Sequence, residues 1–216
     1  MATPKLDSQV RQEQIAKATL ELVAKSGLKK LSVAAVARRV GLVPSALYRH
    51  FKGKDEVLDA TLALIQDKLL DNVRAVGEET DDALEQLHDL LMRHVRMIRE
   101  NRGIPQIIFS QDFYAGHPDR RSRVYRGIRS YLAEVARIVR DGREAGQVGR
   151  EVDCEVAAVM FLGLVQPSAI LWHLSDGDFD VTRQAQRAWP LFLKAIRDGA
   201  ASPPKKARKT PEGERK

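Results

Sequence analysis

The 216-residue chain contains only one cysteine, Cys154, no long apolar run and no alternation of apolar and polar residues. One cysteine excludes an internal disulfide and any zinc site built from several cysteines. The most apolar stretch, residues 156–165, is far shorter than the roughly 20 residues that a membrane span needs. The N-terminus lacks the apolar segment of a signal peptide. We therefore expect an all-α, cytoplasmic protein without membrane association.

Motifs for catalysis and metal binding are also missing. His88 and His94 lie six residues apart, which places them on different faces of a helix, and the sequence has no HExxH motif. It has no GxSxG motif for a nucleophilic serine. The sequence therefore predicts no metal, no cofactor and no enzymatic activity, and an enzyme or a small-molecule carrier is the least favoured class.

The basic residues concentrate at the two ends of the chain. Residues 1–56 contain eleven Lys and Arg against five Asp and Glu, whereas residues 57–200 contain nineteen against twenty-two. Residues 201–216 contain six against two. A basic first part on a mildly acidic body is the distribution expected when only the first part meets a polyanion such as DNA.

Apolar residues recur at helical spacing along most of the chain and predict about nine helices. Three would form a small N-terminal domain over residues 1–54, and six would form a body domain over residues 55–200. The six include single helices over residues 104–113 and 151–174, the second bent at Pro167. Residues 201–216 are basic, contain proline and are predicted to be disordered. This tail either adds non-specific affinity for DNA or only aids solubility.

Residues 31–56 carry the most specific pattern. Ser32 is a good N-cap for a second helix, and Gly41 ends that helix. Pro44 suits the first position of a short third helix, where its missing N–H costs nothing. The exposed start of this helix is small and polar at Ser45 and Ala46, so its axis could approach DNA closely. The major groove admits such a helix, which makes the stretch a candidate helix-turn-helix.

Residues 9–60 resemble the TetR family of bacterial transcriptional repressors. The resemblance rests on Ile15, Leu22, Gly27, Ser32, Val36-Ala37, Val40-Gly41, Ala46 through Phe51, Lys54-Asp55 and Leu58. It implies a homodimer whose two recognition helices enter successive major grooves of a pseudo-palindromic, double-stranded DNA operator. It also implies that each body domain holds a small molecule that changes the separation of the two readers.

The residues predicted to contact DNA match this motif or adjoin it. They are Ser32, Pro44, Ser45, Ala46, Tyr48, Arg49, His50, Lys52 and Lys54. Two positions depart from the family pattern, because Val43 replaces a frequent capping serine and the second helix begins with the short Ala34-Ala35. Base reading is therefore expected to depend on Arg49 and on apolar contact with thymine methyl groups.

The body domain is rich in large apolar side chains, which favours a hydrophobic effector. Candidate ligand-binding residues are Met97, Phe109, Phe113, Tyr125, Met160, Phe161 and Trp172. The many arginines between residues 120 and 143 form either a solvated face or, for one or two of them, a grip on an acidic ligand.

The last two predicted helices are too apolar for a solvent-exposed surface, and we expect them to form the dimer interface. The residues predicted there are Leu164, Val165, Ser168, Trp189 and Phe192. The favoured function is a repressor that a small hydrophobic effector releases from its operator. The alternative is a DNA-binding regulator of the same fold that needs no effector.

Overall fold

A computed structural model describes residues 8–197, with side chains from Val10 onward, and this part of the chain is helical without strands. The eleven α-helices are α1 (Ser8–Ser26), α2 (Val33–Arg39), α3 (Pro44–Tyr48), α4 (Lys54–Glu79), α5 (Ala83–Glu100), α6 (Gly103–Ile108), α7 (Gln111–Tyr114), α8 (Pro118–Glu144), α9 (Cys154–Gly163), α10 (Gln166–Leu174) and α11 (Val181–Arg197). A short 3-10 turn, Leu28–Lys30, lies between α1 and α2. The predicted all-α fold is confirmed, and the predicted tail over 201–216 lies outside the described residues.

The first three helices end where local chemistry predicts. Gly27 and Gly41 have φ values of 77° and 72°, a left-handed conformation that glycine adopts at little cost after a helix. The Ser32 hydroxyl accepts a hydrogen bond from the Ala35 N–H at 3.2 Å, so this serine caps α2 as predicted. Pro44 opens α3.

Two predicted helices each divide in the structure, which raises the count from nine to eleven. The segment 104–113 separates into α6 and α7 because the backbone of Ser110 is extended. The segment 151–174 separates into α9 and α10 at Leu164 and Val165, just before Pro167. Proline cannot donate the backbone hydrogen bond that would continue the first helix, so the predicted bend is a full break.

The smaller of two hydrophobic cores lies at the N-terminal end. It joins Val23 of α1, Val36 of α2 and Leu47 of α3 to Leu58 near the start of α4. Ile107 of α6 and Phe113 of α7 belong to the same core, so the helix-turn-helix packs directly on the body. The predicted domain boundary at residues 54 and 55 remains a prediction.

At Gly103 the backbone of α6 lies close to the backbone of α1. A Cβ atom placed on Gly103 would lie 2.4 Å from the Leu20 carbonyl oxygen, a distance that real side chains do not reach. The absence of a side chain therefore allows α6 to dock on the backbone of α1.

The larger core fills the body between α5, α8, α9 and α11. Leu87, Leu91, Val135, Ala158 and Phe161 are fully buried within it. Residues Cys154–Leu174 are, by length and composition alone, apolar enough to cross a membrane. In the structure they form the two helices α9 and α10, whose inner sides pack into this core. Core helices of a globular protein pass the same test of composition.

Candidate DNA-binding surface and ligand cavity

Most of the residues predicted to contact DNA lie on one exposed surface around α3. Ser32, Ser45, Tyr48, Arg49, His50, Lys52 and Lys54 are exposed, and Pro44 and Ala46 are half-buried. Helix α3 has only five residues, so its position depends on packing rather than on its own helical stability. Leu47, which is 1% exposed, anchors α3 in the small core and leaves Ser45, Tyr48 and Arg49 outside.

Two exposed apolar side chains flank this surface. Tyr48 is 52% exposed, and Val43, just before α3, is 65% exposed. Val43 is an addition to the predicted contacts. From the sequence, its only notable feature is that it replaces a capping serine. An exposed valine beside a recognition helix is suited to contact with a thymine methyl group, which makes it an additional candidate.

The start of α4 offers positive charge and free backbone N–H groups together. Gly53 at the N-cap provides no side-chain cap, and Lys54 is the first residue of the helix. The Glu56 carboxylate accepts a hydrogen bond from the Lys52 N–H at 2.8 Å and fixes the turn. Within residues 8–197 neither lysine forms an ion pair. Because helix N-termini and lysines both attract anions, this turn is a candidate phosphate-binding site.

The body contains a cavity of about 370 Å³ between α4, α5, α6 and α8. Its wall is predominantly apolar. The lining side chains include Leu62, Ile65, Leu69, Met97, Ile98, Ile104, Ile108, Phe109, Val124, Ile128, Leu162 and Ala169. This volume and this lining are typical of a small-molecule site.

Only two of the seven predicted ligand-binding residues, Met97 and Phe109, line the cavity. Phe113, Phe161 and Trp172 are buried in the two cores, where they contact neighbouring side chains instead. Tyr125 and Met160 point outward from α8 and α9 and are exposed. Large size and apolar character do not distinguish a cavity wall from a filled core, so sequence reasoning could not separate these cases.

One wall of the cavity carries a neutral polar pair. His94 Nδ1 lies 3.2 Å from the Tyr131 hydroxyl, and both residues line the cavity. Burial disfavours the charged imidazolium, which lowers the pKa of His94 to about 4. Burial also raises the pKa of the Tyr131 hydroxyl. Near neutral pH both groups are uncharged and can serve a ligand as hydrogen-bonding groups.

Arg120 connects the cavity to the helix that follows the recognition helix. This guanidinium is 2% exposed and pairs with Asp55 at 2.9 Å and Asp59 at 2.8 Å, both in the first turns of α4. It also donates to the Phe113 carbonyl oxygen at 3.0 Å and stacks over the Phe113 ring. The predicted arginine face is therefore not solvated throughout. Because Arg120 and Asp59 both line the cavity, a ligand would contact this ion-pair cluster directly.

An exposed apolar face covers α9 and α10 and extends to α11. Its members are Val156, Val159, Met160, Ile170, Leu171, Leu174 and Leu191, and we call it the α9–α10 face. The predicted interface residues lie mostly behind it: Val165, Ser168 and Phe192 are buried within the protomer, and Leu164 and Trp189 are half-buried. The helices predicted to form the dimer interface therefore do carry an exposed apolar face. Its residues differ from the predicted ones, because the packing of each helix determines which side is exposed.

No group of three or more His, Cys, Asp or Glu side chains within residues 8–197 is arranged to hold a metal ion. Cys154 is buried at the start of α9.

Comparisons with known proteins identify the family of this chain. The family profile described as "Bacterial regulatory proteins, tetR family" matches residues 15–68, and "Tetracyclin repressor-like, C-terminal domain" matches residues 80–196. The nucleoid occlusion factor SlmA of Aliivibrio fischeri is 23% identical over 197 residues, which cover 91% of this chain and 100% of SlmA.

Two solved structures with bound ligands share the fold. The SmeT–triclosan complex, from Stenotrophomonas maltophilia, superimposes with a TM-score of 0.71 at 22% identity, over 94% of this chain and 100% of SmeT. FadR from Bacillus subtilis in complex with stearoyl-CoA gives a TM-score of 0.69 at 20% identity, over 85% of this chain and 98% of FadR. The second profile alone spans more than half of the chain. This protein therefore belongs to the TetR family of bacterial regulatory proteins and is a DNA-binding transcription regulator.

Proposed function

We propose that this protein is a cytoplasmic repressor that binds a pseudo-palindromic operator as a homodimer and leaves it when a small hydrophobic effector enters the cavity. The nine predicted DNA contacts and Val43 would form the operator surface of each protomer. Arg49 would read bases, and Lys52 and Lys54 would contact phosphates.

A single helix, α4, carries the proposal because it belongs to both sites. It begins at Lys54, beside the recognition helix, and lines the cavity from Asp59 to Leu70. A ligand that contacts α4 differently in two positions of this helix shifts the balance between those positions. Arg120 holds the first turns of α4 against α8, so movement of either helix would be passed to the other. The DNA-binding surface adjoins this end of α4.

The relatives support a hydrophobic effector in general terms. SmeT was solved with triclosan and FadR with stearoyl-CoA, two molecules with substantial apolar parts. The cavity of this chain is likewise lined mainly by aliphatic side chains. An effector-independent regulator would have no need for such a cavity, so the cavity favours the ligand-responsive alternative.

The α9–α10 face is the proposed dimer interface. Exposed side chains such as Val159, Leu171 and Leu174 would lose contact with water when two copies pair through it. Pairing would hold two recognition helices at a fixed separation, which a two-fold symmetric operator requires. An effector would then act by changing the separation of the two recognition helices.

The proposal is tested by selecting binding sites from random-sequence DNA and footprinting the selected site with purified protein. We expect a two-fold symmetric sequence whose half-sites lie about one helical turn or a multiple of a turn apart. Protection of all sequences alike, with no selected site, would contradict the proposal. Screening hydrophobic compounds against the footprinted complex then tests whether DNA is released.

A further inference from the structure

Arg126 is a positive charge without a carboxylate partner at the opening of an apolar cavity. The cavity wall contains three arginines, Arg120, Arg123 and Arg126, but only one acidic residue, Asp59. Arg120 is paired with Asp55 and Asp59, and Arg123 lies 3.0 Å from Asp59. Within residues 8–197 Arg126 has no ion-pair partner. The three arginines and the carboxylates of Asp55 and Asp59 therefore leave one positive charge unbalanced at the cavity wall.

Arg126 belongs to the part of the cavity wall that is exposed to solvent. The exposed members of this wall include the apolar Phe109 and Ile128 and the basic Arg123 and Arg126. The interior is different, because Tyr131 is buried about 8 Å further along α8 and pairs there with His94. The cavity therefore has an exposed cationic side at Arg126, a buried ion-pair cluster at Arg120 and Asp59, and an uncharged end at His94 and Tyr131.

We infer that the effector is an anionic amphiphile, whose charged head group binds Arg126 at the opening and whose apolar chain fills the cavity toward His94 and Tyr131. This inference rests on the proposed function and names the class of effector that acts at the same site. A guanidinium binds a carboxylate or a phosphate through charge-assisted hydrogen bonds, which are stronger than neutral ones. Asp59, already held by two arginines, would not repel the head group strongly.

The reverse orientation is disfavoured by the chemistry of the interior. A charged head group placed beside His94 would lose its hydration and would find no opposite charge, since the pKa of His94 is lowered to about 4. An apolar chain or a neutral polar group fits this end instead. Gly127 leaves room for a side chain of α4, because a Cβ there would lie 2.7 Å from the Gln66 amide oxygen.

The inference is tested with matched probes that differ only in the head group: decanoate, decan-1-ol and decanoyl-coenzyme A. Isothermal titration calorimetry on the full-length protein measures their dissociation constants. We expect decanoate to bind at least about tenfold more tightly than decan-1-ol, which corresponds to one charge-assisted hydrogen bond in a partly exposed site. This preference should weaken as the salt concentration rises, because the head group lies at the surface.

The variant Arg126→Ala should remove the preference for decanoate while leaving the affinity for decan-1-ol unchanged. Arg129→Ala is the matched control, since Arg129 is exposed on the same helix but does not line the cavity. Decanoyl-coenzyme A distinguishes the source of the anion: tighter binding than decanoate indicates a phosphate-bearing head group, and weaker binding indicates a free carboxylate. Both results support an anionic head group, provided that Arg126→Ala weakens the tighter ligand.

Equal affinities of the wild-type protein for decanoate and decan-1-ol would overturn the inference. Equal effects of Arg126→Ala and Arg129→Ala would also overturn it, as would the failure of all three probes to bind. These failures are separable from failure of the proposed function. A neutral hydrophobe that releases the operator would preserve the function and reject only the anionic head group, whereas the absence of any specific operator would reject the function itself.

Discussion

The residues of the proposed DNA-binding surface differ in the part of DNA that each would contact. Arg49 projects from the end of the recognition helix, where a guanidinium can read a base edge. Lys54 stands at the start of α4, where a phosphate is the expected partner. Truncation of the two side chains should therefore weaken DNA binding in different ways.

Arg49→Ala is expected to weaken binding to the selected operator by about tenfold or more while changing the affinity for unrelated DNA little. Lys54→Ala is expected to weaken both alike and to lower the slope of log affinity against log salt by about one. Fluorescence anisotropy with both DNAs over a range of salt concentrations measures these quantities. Arg150→Ala, in the exposed loop after α8, serves as the control and should change neither. Loss of specificity in the lysine variant would reverse the assignment.

His94 makes the stability of the fold depend on pH. Its pKa in the folded protein is about 4, below the ordinary value of 6.5, so the unfolded chain takes up the proton first as the pH falls. The stability is therefore fully present above about pH 6.5 and decreases as the pH falls toward 4. From this group alone we expect a loss of about 2 kcal/mol between pH 7 and pH 5.

Urea unfolding of the wild-type protein and of His94→Gln at both pH values checks this expectation. Glutamine keeps a hydrogen-bonding partner for Tyr131 but does not titrate, so the variant should lose about 2 kcal/mol less than the wild type over the same interval. Identical losses would show that His94 is protonated as readily in the folded protein as in the unfolded chain.

At the scale of elements, the contact between α1 and α6 joins the DNA-binding helices to the body. It depends on Gly103, where the Leu20 carbonyl occupies the space of a side chain. Gly77, inside α4, has no atom within 4 Å of the position that a Cβ would take. The same substitution should therefore have opposite effects at the two glycines.

Gly103→Ala is expected to reduce the free energy of unfolding by about 1–3 kcal/mol, because the backbones of α1 and α6 must move apart. Gly77→Ala should increase it by about 0.5–1 kcal/mol, since alanine is the better helix former and meets no obstacle. Urea denaturation measures both changes. An unchanged stability for Gly103→Ala would mean that α6 does not dock on α1 in solution.

The helices differ in how far the sequence could predict them. The helix-turn-helix was predictable because its signals are local: Ser32 caps a helix, Gly41 ends it and Pro44 opens the next. The break between α9 and α10 was only partly predictable, because Pro167 indicates that the helix is interrupted but not whether it bends or ends. The path of α6 depends on long-range contact with α1, and that of α7 on contact with the 3-10 turn and α8, which no local pattern contains.

The residues of the cavity were predicted less well than the helices around it. Phe113 and Phe161 have the same apolar character as Met97 and Phe109, yet the first two fill cores and the last two line the cavity. The difference arises from the space between packed helices, which is a property of the whole fold. The burial of Arg120 could not be predicted for the same reason, since it depends on carboxylates 61 and 65 residues away in sequence.

In the whole molecule, pairing through the α9–α10 face would determine how the two recognition helices of a dimer meet one operator. Val159→Lys places a charge in this face and is expected to convert a dimer into a monomer with weaker operator binding. Tyr125→Lys is the control, because Tyr125 is equally exposed but lies on α8, away from the face. Sedimentation velocity distinguishes the two species. A wild-type protein that is monomeric at micromolar concentration, or a dimeric Val159→Lys variant, would place the interface elsewhere.

In the proposed function, occupation of the cavity lowers the affinity of the protein for the operator. The most direct measurement is the anisotropy of labelled operator DNA, titrated with protein in the presence and absence of a compound that calorimetry places in the cavity. We predict that the compound weakens operator binding by about fivefold or more, and that DNA weakens binding of the compound by the same factor. A compound that saturates the cavity and leaves the operator affinity unchanged would contradict the proposed function.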